Sequence, residues 1–214
     1  FFWVVKNRYK KIALVGGGGH GKVCASIAEE LGYDVSFFDD AYPSVAACGK
    51  WQVVGTSDDL ISQSSIFDSA FVAIGNCRIR EKVQSRLVDS GFNIISLISS
   101  TASIHKSVNV GDGVLVVGNA CINIDSVIEE GVIINTNACV DHDCFISSFA
   151  HICPGVSLAG EVTVGHASWV GIGSAVIQQI KIGSDVKVGA GSTILENVPS
   201  DVTVVGSPGR IVKK

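Results

Sequence analysis

The sequence predicts a small α/β unit followed by a β-helix built from hexapeptide repeats. Three observations carry this reading. A β-branched run, Lys11–Val15, ends in Gly16-Gly17-Gly18-Gly19-His20-Gly21-Lys22 and leads into a segment with helical apolar spacing. Strand-like and helix-like segments then alternate as far as Leu97, the pattern of a parallel sheet with crossover helices. From Ile104 onward every sixth residue is Ile, Val or Leu, through Val140, Ile152 and Val170 to Ile194, sixteen positions without a break.

A period of six fits neither a lone helix nor a lone strand. It fits a solenoid of very short strands. The residues two before each aliphatic position, Ala102, Val108, Val114 and onward to Ser192, are small or β-branched. Both positions share one strand face by period-2 alternation and point into the prism. Three hexads make one triangular coil, so sixteen hexads give a little over five coils. At roughly 4.8 Å per rung the prism is about 25 Å long. Gly follows the aliphatic position five times, at Gly111, Gly165, Gly171, Gly183 and Gly189, and Gly and Asn at corners tolerate positive φ.

The elements before the repeat read in order as follows. Lys11–Val15 is the first strand and Val23–Leu31 the first helix. Tyr33–Phe38 is a strand closed by Asp39-Asp40, Gln52–Val54 a short strand and Ser57–Ser62 a helix. Ala70–Ile74 is a strand leading to Gly75-Asn76. Arg78–Ser90 is a helix with Ile79, Val83, Leu87 and Val88 on one face, and Phe92–Leu97 is the last strand. The division expected is residues 1–98 for a truncated Rossmann-like unit and 99–214 for the β-helix, with Val204–Arg210 in a C-terminal cap. Phe1–Val5, followed by Lys6, Arg8, Lys10 and Lys11, reads as an extra edge strand. The alternative is the stub of a link to a preceding domain at a membrane.

Composition narrows the function. A net charge of −4 leaves no electrostatic footprint for nucleic acid or an anionic membrane. The longest apolar run falls far short of a bilayer span. Seven scattered Cys, an odd number without paired spacing, suggest reduced thiols and a cytoplasmic setting.

The glycine loop contains G-x-G-x-x-G at Gly16, Gly18 and Gly21, after a strand and opening a helix. Its backbone N–H groups suit a diphosphate. The competing reading is a tight turn without a ligand, against which His20 and Lys22 both offer groups that can face an anion. Val23 stands where a nucleoside-triphosphatase loop needs Ser or Thr for magnesium, which excludes that class. Asp39 and Asp40 stand where an acid binds a ribose hydroxyl.

The densest polar cluster of the repeat is Asn135-Thr136-Asn137-Ala138-Cys139-Val140-Asp141-His142-Asp143-Cys144. His142 comes two residues after inward Val140, so it stands at a corner and points out. A histidine beside carboxylates is a candidate general base; the competing reading is a solvated corner. His151 precedes inward Ile152 and also points out. Nine residues are half a coil, so the two histidines meet only across a seam between subunits. Cys139, His142, Cys144, His151 and Cys153 invite a zinc reading, but Cys144 falls on an inward position while His142 points out, so no metal is expected. His105 and His166 read as surface residues.

Taken together, GGGGHGK, FFDD, AIGN, NTNACVDHD, HICPGVSLAG and VVGSPGR span nearly the whole chain. They resemble the bacterial nucleotide-sugar N-acetyltransferases and sialic acid O-acetyltransferases, hexapeptide-repeat acyltransferases with a left-handed β-helix. Among these, they resemble the enzymes of bacillosamine synthesis that acetylate a UDP-4-amino sugar. The resemblance implies a homotrimer with active sites between subunits, a nucleotide sugar held by the N-terminal unit, and acetyl-CoA as cosubstrate in the β-helix grooves. It also implies the option of fusion to, or association with, a membrane glycosyltransferase at the N-terminus. By motif, Gly18, Gly19, His20, Asp39, Asp40, Gly75, Asn76 and Asn135 would bind the sugar nucleotide. His142 would be the base, oriented by Asp143 or by Asp141. His151, Gly160, Ile172 and Ala190 would contact acetyl-CoA, with Ala190 standing where Gly is expected. The reaction implied is N-acetylation of the 4-amino group of a nucleotide-linked 4-amino-4,6-dideoxy sugar. The alternatives are O-acetylation of sialic acid or another sugar, and a non-catalytic nucleotide-sugar-binding scaffold. The sequence leaves open the nucleobase, the sugar's stereochemistry and the pathway.

Overall fold

The computed structural model describes residues 10–213; the reading of Phe1–Val5 lies outside them. Lys10–Val15 (β1), Tyr33–Phe38 (β2), Ala47–Cys48 (β3), Trp51–Gly55 (β4) and Ser69–Val72 (β5) form one sheet in the order β3-β4-β2-β1-β5. Strands β1, β2, β4 and β5 run parallel, and β3 pairs antiparallel with β4. The helices are Gly19–Glu30 (α1), Ser57–Ser62 (α2) and Cys77–Asp89 (α3). Apolar residues on both faces of β1 explain its central place. Ile12 and Leu14 pack with Cys24, Ala25 and Ala28 of α1, while Ala13 and Val15 pack with Leu60, Val72 and Leu87. Helix α2 begins with a reciprocal cap, in which Thr56 Oγ1 accepts from Asp59 N–H and Asp59 accepts from Thr56 N–H.

The repeat folds as a three-faced parallel β-helix. Cys121 pairs with Cys139 and Ile122 with Val140, eighteen residues on, and the same offset recurs on every face. The first face runs from Leu97–Ile98 through Leu115–Val116, Ile133–Ile134, His151–Ile152 and Trp169–Val170 to Lys187–Val188. The second carries Cys121–Ile122, Cys139–Val140 and Ser157–Leu158. The third carries Val127–Ile128, Phe145–Ile146 and Thr163–Val164. From Val116 to Ile194 every aliphatic repeat position is at most 3% exposed. The inward serines cost little, because each finds a carbonyl: Ser126 Oγ donates to Asp141 O, Ser168 to Gly183 O and Ser174 to Gly189 O.

Positive φ recurs at every sixth residue from Gly113 through Asn137, Asp143 and Phe149 to Gly191. These corner residues are not the glycines that follow the aliphatic positions. Those glycines are needed for another reason: a Cβ on Gly111 would lie 2.6 Å from Glu130 N, and one on Gly183 2.5 Å from Ser200 N. They let successive coils approach at the corner.

The α/β unit sits on the outer surface of the first face. Leu97, Leu115 and Ile133 are wholly buried there and join the cluster of Ile12, Leu14 and Phe37. At the other end, Thr203–Val205 extends the first face and Arg210–Lys213 runs antiparallel to it, closing the prism.

Three sequence expectations change. Helix α1 starts at Gly19, inside the glycine loop, rather than at Val23. Helix α3 buries Cys77, Arg80, Gln84 and Leu87, while Ile79 and Val88 are about half exposed; of the expected stripe Val83 and Leu87 pack on the sheet, and the rest of the buried face turns Arg80 toward prism carbonyls. Phe92–Leu97 is not one strand: Ile94 makes a single bridge to Ala70, and Leu97–Ile98 already belongs to the prism.

Candidate active site

The glycine loop is shaped by what surrounds it. Gly16 sits at φ 113°, with its N–H donated to Phe38 O at 2.8 Å. Gly17 N–H donates to Asp39 Oδ2 at 2.7 Å. A Cβ on Gly21 would overlap the Gly16 carbonyl, so helix and strand meet only through glycine. Gly18 caps α1 with no side-chain acceptor and no acid in the first turn, which leaves the helix N-terminus available to an anion. A cavity of about 410 Å³ opens here, lined by Gly16, Gly18, Gly19, His20, Asp39, Asp40 and Gly75. Ile74, Ile79 and Val83 form its apolar side, which accounts for the exposure of Ile79. Asp40 Oδ1 accepts Ser57 N–H at 2.9 Å and Ser57 Oγ–H at 2.7 Å. These bonds hold its carboxyl below the usual range. Asn76 does not line this cavity. Its Oδ1 caps α3 by accepting Ile79 N–H at 3.0 Å, and it borders the second cavity.

That second cavity, about 770 Å³, runs along the first face and its corner with the second. Ile172 and Ala190 line it with Trp169, Lys187 and Arg78. Arg78 pairs with Asp185, with Glu81 at 2.7 Å and with the His166 ring at 2.8 Å, tying α3 to the prism. Sequence reading missed Arg78 and left His166 as a plain surface residue, since nothing local links them.

Between the cavities lies His151. Its side chain leaves the prism outward, yet it is only 4% exposed, with Gly75 and Trp169 packed against it. Its ring packs against Trp169 with centroids 4.3 Å apart and planes tilted by 55°, and lies 6.1 Å from His20. Nδ1–H donates to Gly75 O at 3.2 Å, and Nε2 accepts from Asn135 Nδ2 at 3.1 Å. Burial, reinforced by the nearby Arg80 guanidinium, pulls His151 down to about 3 and His20 to about 4. Both rings are therefore neutral at physiological pH. His20 Nε2 is buried without a partner.

His142 stands apart, on the corner between the second and third faces, half exposed. Nδ1–H donates to Asp143 Oδ2 at 2.8 Å, which leaves Nε2 as the free base. Asp143, first of all, raises the basicity of His142, with help from Asp141 and Glu161. Asp141 instead accepts the His142 backbone N–H at 2.8 Å and Asn123 Nδ2–H at 3.0 Å. Gly160 lies against the imidazole: any Cβ there would overlap Nε2 and Cε1. Gly160 is thus placed with His142 and not with Ile172 and Ala190. Within one chain His142 and the two cavities occupy different corners. Among the described residues no group of three or more His, Cys, Asp or Glu converges as a metal site; Cys144 faces the interior, as its register dictates.

Residues 11–87 match the model of the PglD N-terminal domain. Over 111 residues, 50% of the chain, it is 34% identical to the UDP-N-acetylbacillosamine N-acetyltransferase of Bacillus subtilis (strain 168). The match spans about half the length of that curated relative, 51%. Among solved structures, the acetyltransferase domain of PglB from Neisseria gonorrhoeae FA1090 in complex with acetyl coenzyme A is 38% identical, with a TM-score of 0.91. That match covers 95% of this chain and 99% of the other. A histidine-to-asparagine mutant of perosamine N-acetyltransferase from Caulobacter crescentus, in complex with CoA and GDP-perosamine, is 36% identical with a TM-score of 0.91, covering 95% and 97%. WeeI from Acinetobacter baumannii AYE, at 22% identity and a TM-score of 0.64, shares the fold. With sequence likeness above one third sustained over nearly the full length of both chains, this chain belongs to the family of bacterial nucleotide-sugar N-acetyltransferases.

Proposed function

We propose that the protein transfers the acetyl group of acetyl-CoA to the 4-amino group of a nucleotide-linked 4-amino-4,6-dideoxy sugar, with a UDP-sugar the first acceptor to test. The observation that carries this is the His142–Asp143 pair, whose bond through Nδ1 turns a free Nε2 outward. In the reaction His142 Nε2 takes a proton as the amine nitrogen attacks the thioester carbonyl. A backbone N–H near Gly160 stabilises the tetrahedral oxyanion. The C–S bond then breaks, and the proton passes from His142 to the departing CoA sulfur. No acyl-enzyme forms, and the free cysteines take no part.

The cavity at Gly18, Gly19, His20, Asp39, Asp40 and Gly75 supports a nucleotide sugar, with its diphosphate at the α1 N-terminus and Asn135 toward the sugar. The cavity bordered by Asn76, Ile172 and Ala190 supports acetyl-CoA, with His151 behind its wall. Because His142 lies on another corner, the reading requires that a neighbouring subunit bring it to these cavities, as a homotrimer would. Seven free thiols support a reducing compartment such as the cytoplasm. Among the described residues no helix is long and apolar enough to cross a membrane.

The test is thiol release from acetyl-CoA with UDP-, dTDP- and GDP-linked 4-amino-4,6-dideoxy sugars and with free sialic acid, using His142→Ala as the blank. Release with one nucleotide amino sugar is expected. Release with sialic acid alone would move the reading to O-acetylation, and silence across the panel would return it to a binding scaffold.

A further inference from the structure

Arg80 of α3 is wholly buried, and among the described residues no carboxylate meets it. Its guanidinium donates to backbone carbonyls on both sides of the junction between the α/β unit and the prism. On the prism side Nε reaches Gly131 O at 2.7 Å, and Nη2 reaches Phe149 O at 2.6 Å and Ala150 O at 3.3 Å. On the other side Nη1 reaches Ile74 O at 2.9 Å and Gly75 O at 3.0 Å. A cation this deep is costly to bury even when every N–H is satisfied. An apolar side chain of similar volume would often serve packing as well or better. Packing alone therefore gives weak reason for an arginine here, and its acceptors suggest another.

Gly75 O takes two donors, Arg80 Nη1–H and His151 Nδ1–H, which fills both lone pairs of a carbonyl. With Nδ1 protonated, His151 Nε2 is bare and accepts Asn135 Nδ2–H at 3.1 Å. Asn135 Oδ1 in turn accepts Thr136 N–H at 2.8 Å, which sets which end of the amide is oxygen. The Trp169 ring packs against the imidazole at 4.3 Å, tilted by 55°, and restricts its rotation. Each bond removes the freedom of the next group. Asn135 Oδ1 also accepts Thr136 Oγ1–H at 3.4 Å, so what remains to Asn135 is one N–H.

We infer that Arg80 is a positioning residue for the acceptor site: through the Gly75 carbonyl it fixes the tautomer of His151, and through His151 the rotation of the Asn135 amide. This rests on the reading of Asn135 as a sugar-side residue. In this arrangement both ring nitrogens of His151 are spent inside the protein, so its influence on the reaction passes through Asn135.

The experiment joins ¹⁵N NMR of histidine-labelled enzyme at neutral pH with kinetics of Arg80→Lys and Arg80→Met. Wild-type His151 is expected as the Nδ1–H tautomer, and the Met variant as a mixture of tautomers. In the Met variant kcat/KM for the nucleotide sugar should fall by about 30-fold or more, while the KM for acetyl-CoA stays within about twofold. Lysine, which keeps the charge and reaches fewer carbonyls, should recover part of the loss. A folded Arg80→Met enzyme with an unchanged His151 signature and unchanged kinetic constants would overturn the inference. If neither variant folds, the wild-type spectrum decides, and an Nε2–H tautomer there also overturns it. The tautomer is read without turnover, so failure of the acetyltransferase reading leaves this readout standing.

Discussion

Asp143 accepts the Nδ1–H of His142 at 2.8 Å from a corner residue held at φ 56°. Left-handed backbone is tolerated by Asp and Asn far better than by most residues. The turn that closes the coil thus presents a carboxylate to the imidazole beside it.

Replacing Asp143 with Asn removes the charge that raises His142 basicity. The working base is neutral His142, so kcat/KM climbs as pH rises through its pKa. In Asp143→Asn that acid limb should move to lower pH, while the plateau drops about tenfold or more. A kcat/KM profile from pH 5 to pH 9 checks both changes.

His142→Ala should lower turnover by about a hundredfold or more. The side chain is half exposed at a corner and holds no core contact, so the melting curve should match the wild type. Nucleotide-sugar binding by calorimetry should also be retained. Normal turnover would remove His142 from the mechanism.

Ile172 is well exposed on the wall of the larger cavity. Ile172→Glu places an anion where an anionic thioester is expected to lie. The KM for acetyl-CoA should rise about tenfold or more, with the nucleotide-sugar KM and the stability little changed. An equal rise in both KM values would contradict the assignment of separate cavities.

Gly131 combines φ 63° with a position where any Cβ would overlap the buried Phe149 ring. Gly131→Ala should destabilise the protein by about 2 kcal/mol or more. Urea denaturation would measure this. Because Gly131 O also accepts Arg80 Nε–H, the variant tests how tightly the junction is packed.

The prism was legible because its signal is local and repeated: each hexad carries the same inward pair, and Val116 to Ile194 bury as the period requires. The first strand and the glycine loop were legible for a similar reason, since turn chemistry is written in adjacent residues. What escaped depends on contacts across the chain. His151 reads as outward because its neighbours in sequence say so, yet Gly75, seventy-six residues away, packs against it. Arg80 sits one residue off the apolar stripe of α3, and nothing in its own segment announces prism carbonyls as partners. Gly160 looks like any corner glycine until His142, one coil earlier, is found against it.

The eighteen-residue coil also acts as a ruler. Stacked rungs convert sequence length into distance at about 4.8 Å per coil. Inserting one whole coil between His142 and Ala190 would lengthen the groove by that step and leave every inward residue inward. Inserting a single residue within a rung would turn its inward residues outward. Relatives of this chain are therefore free to change the reach of their cofactor groove only in discrete steps, while loops at the corners can vary without limit of phase.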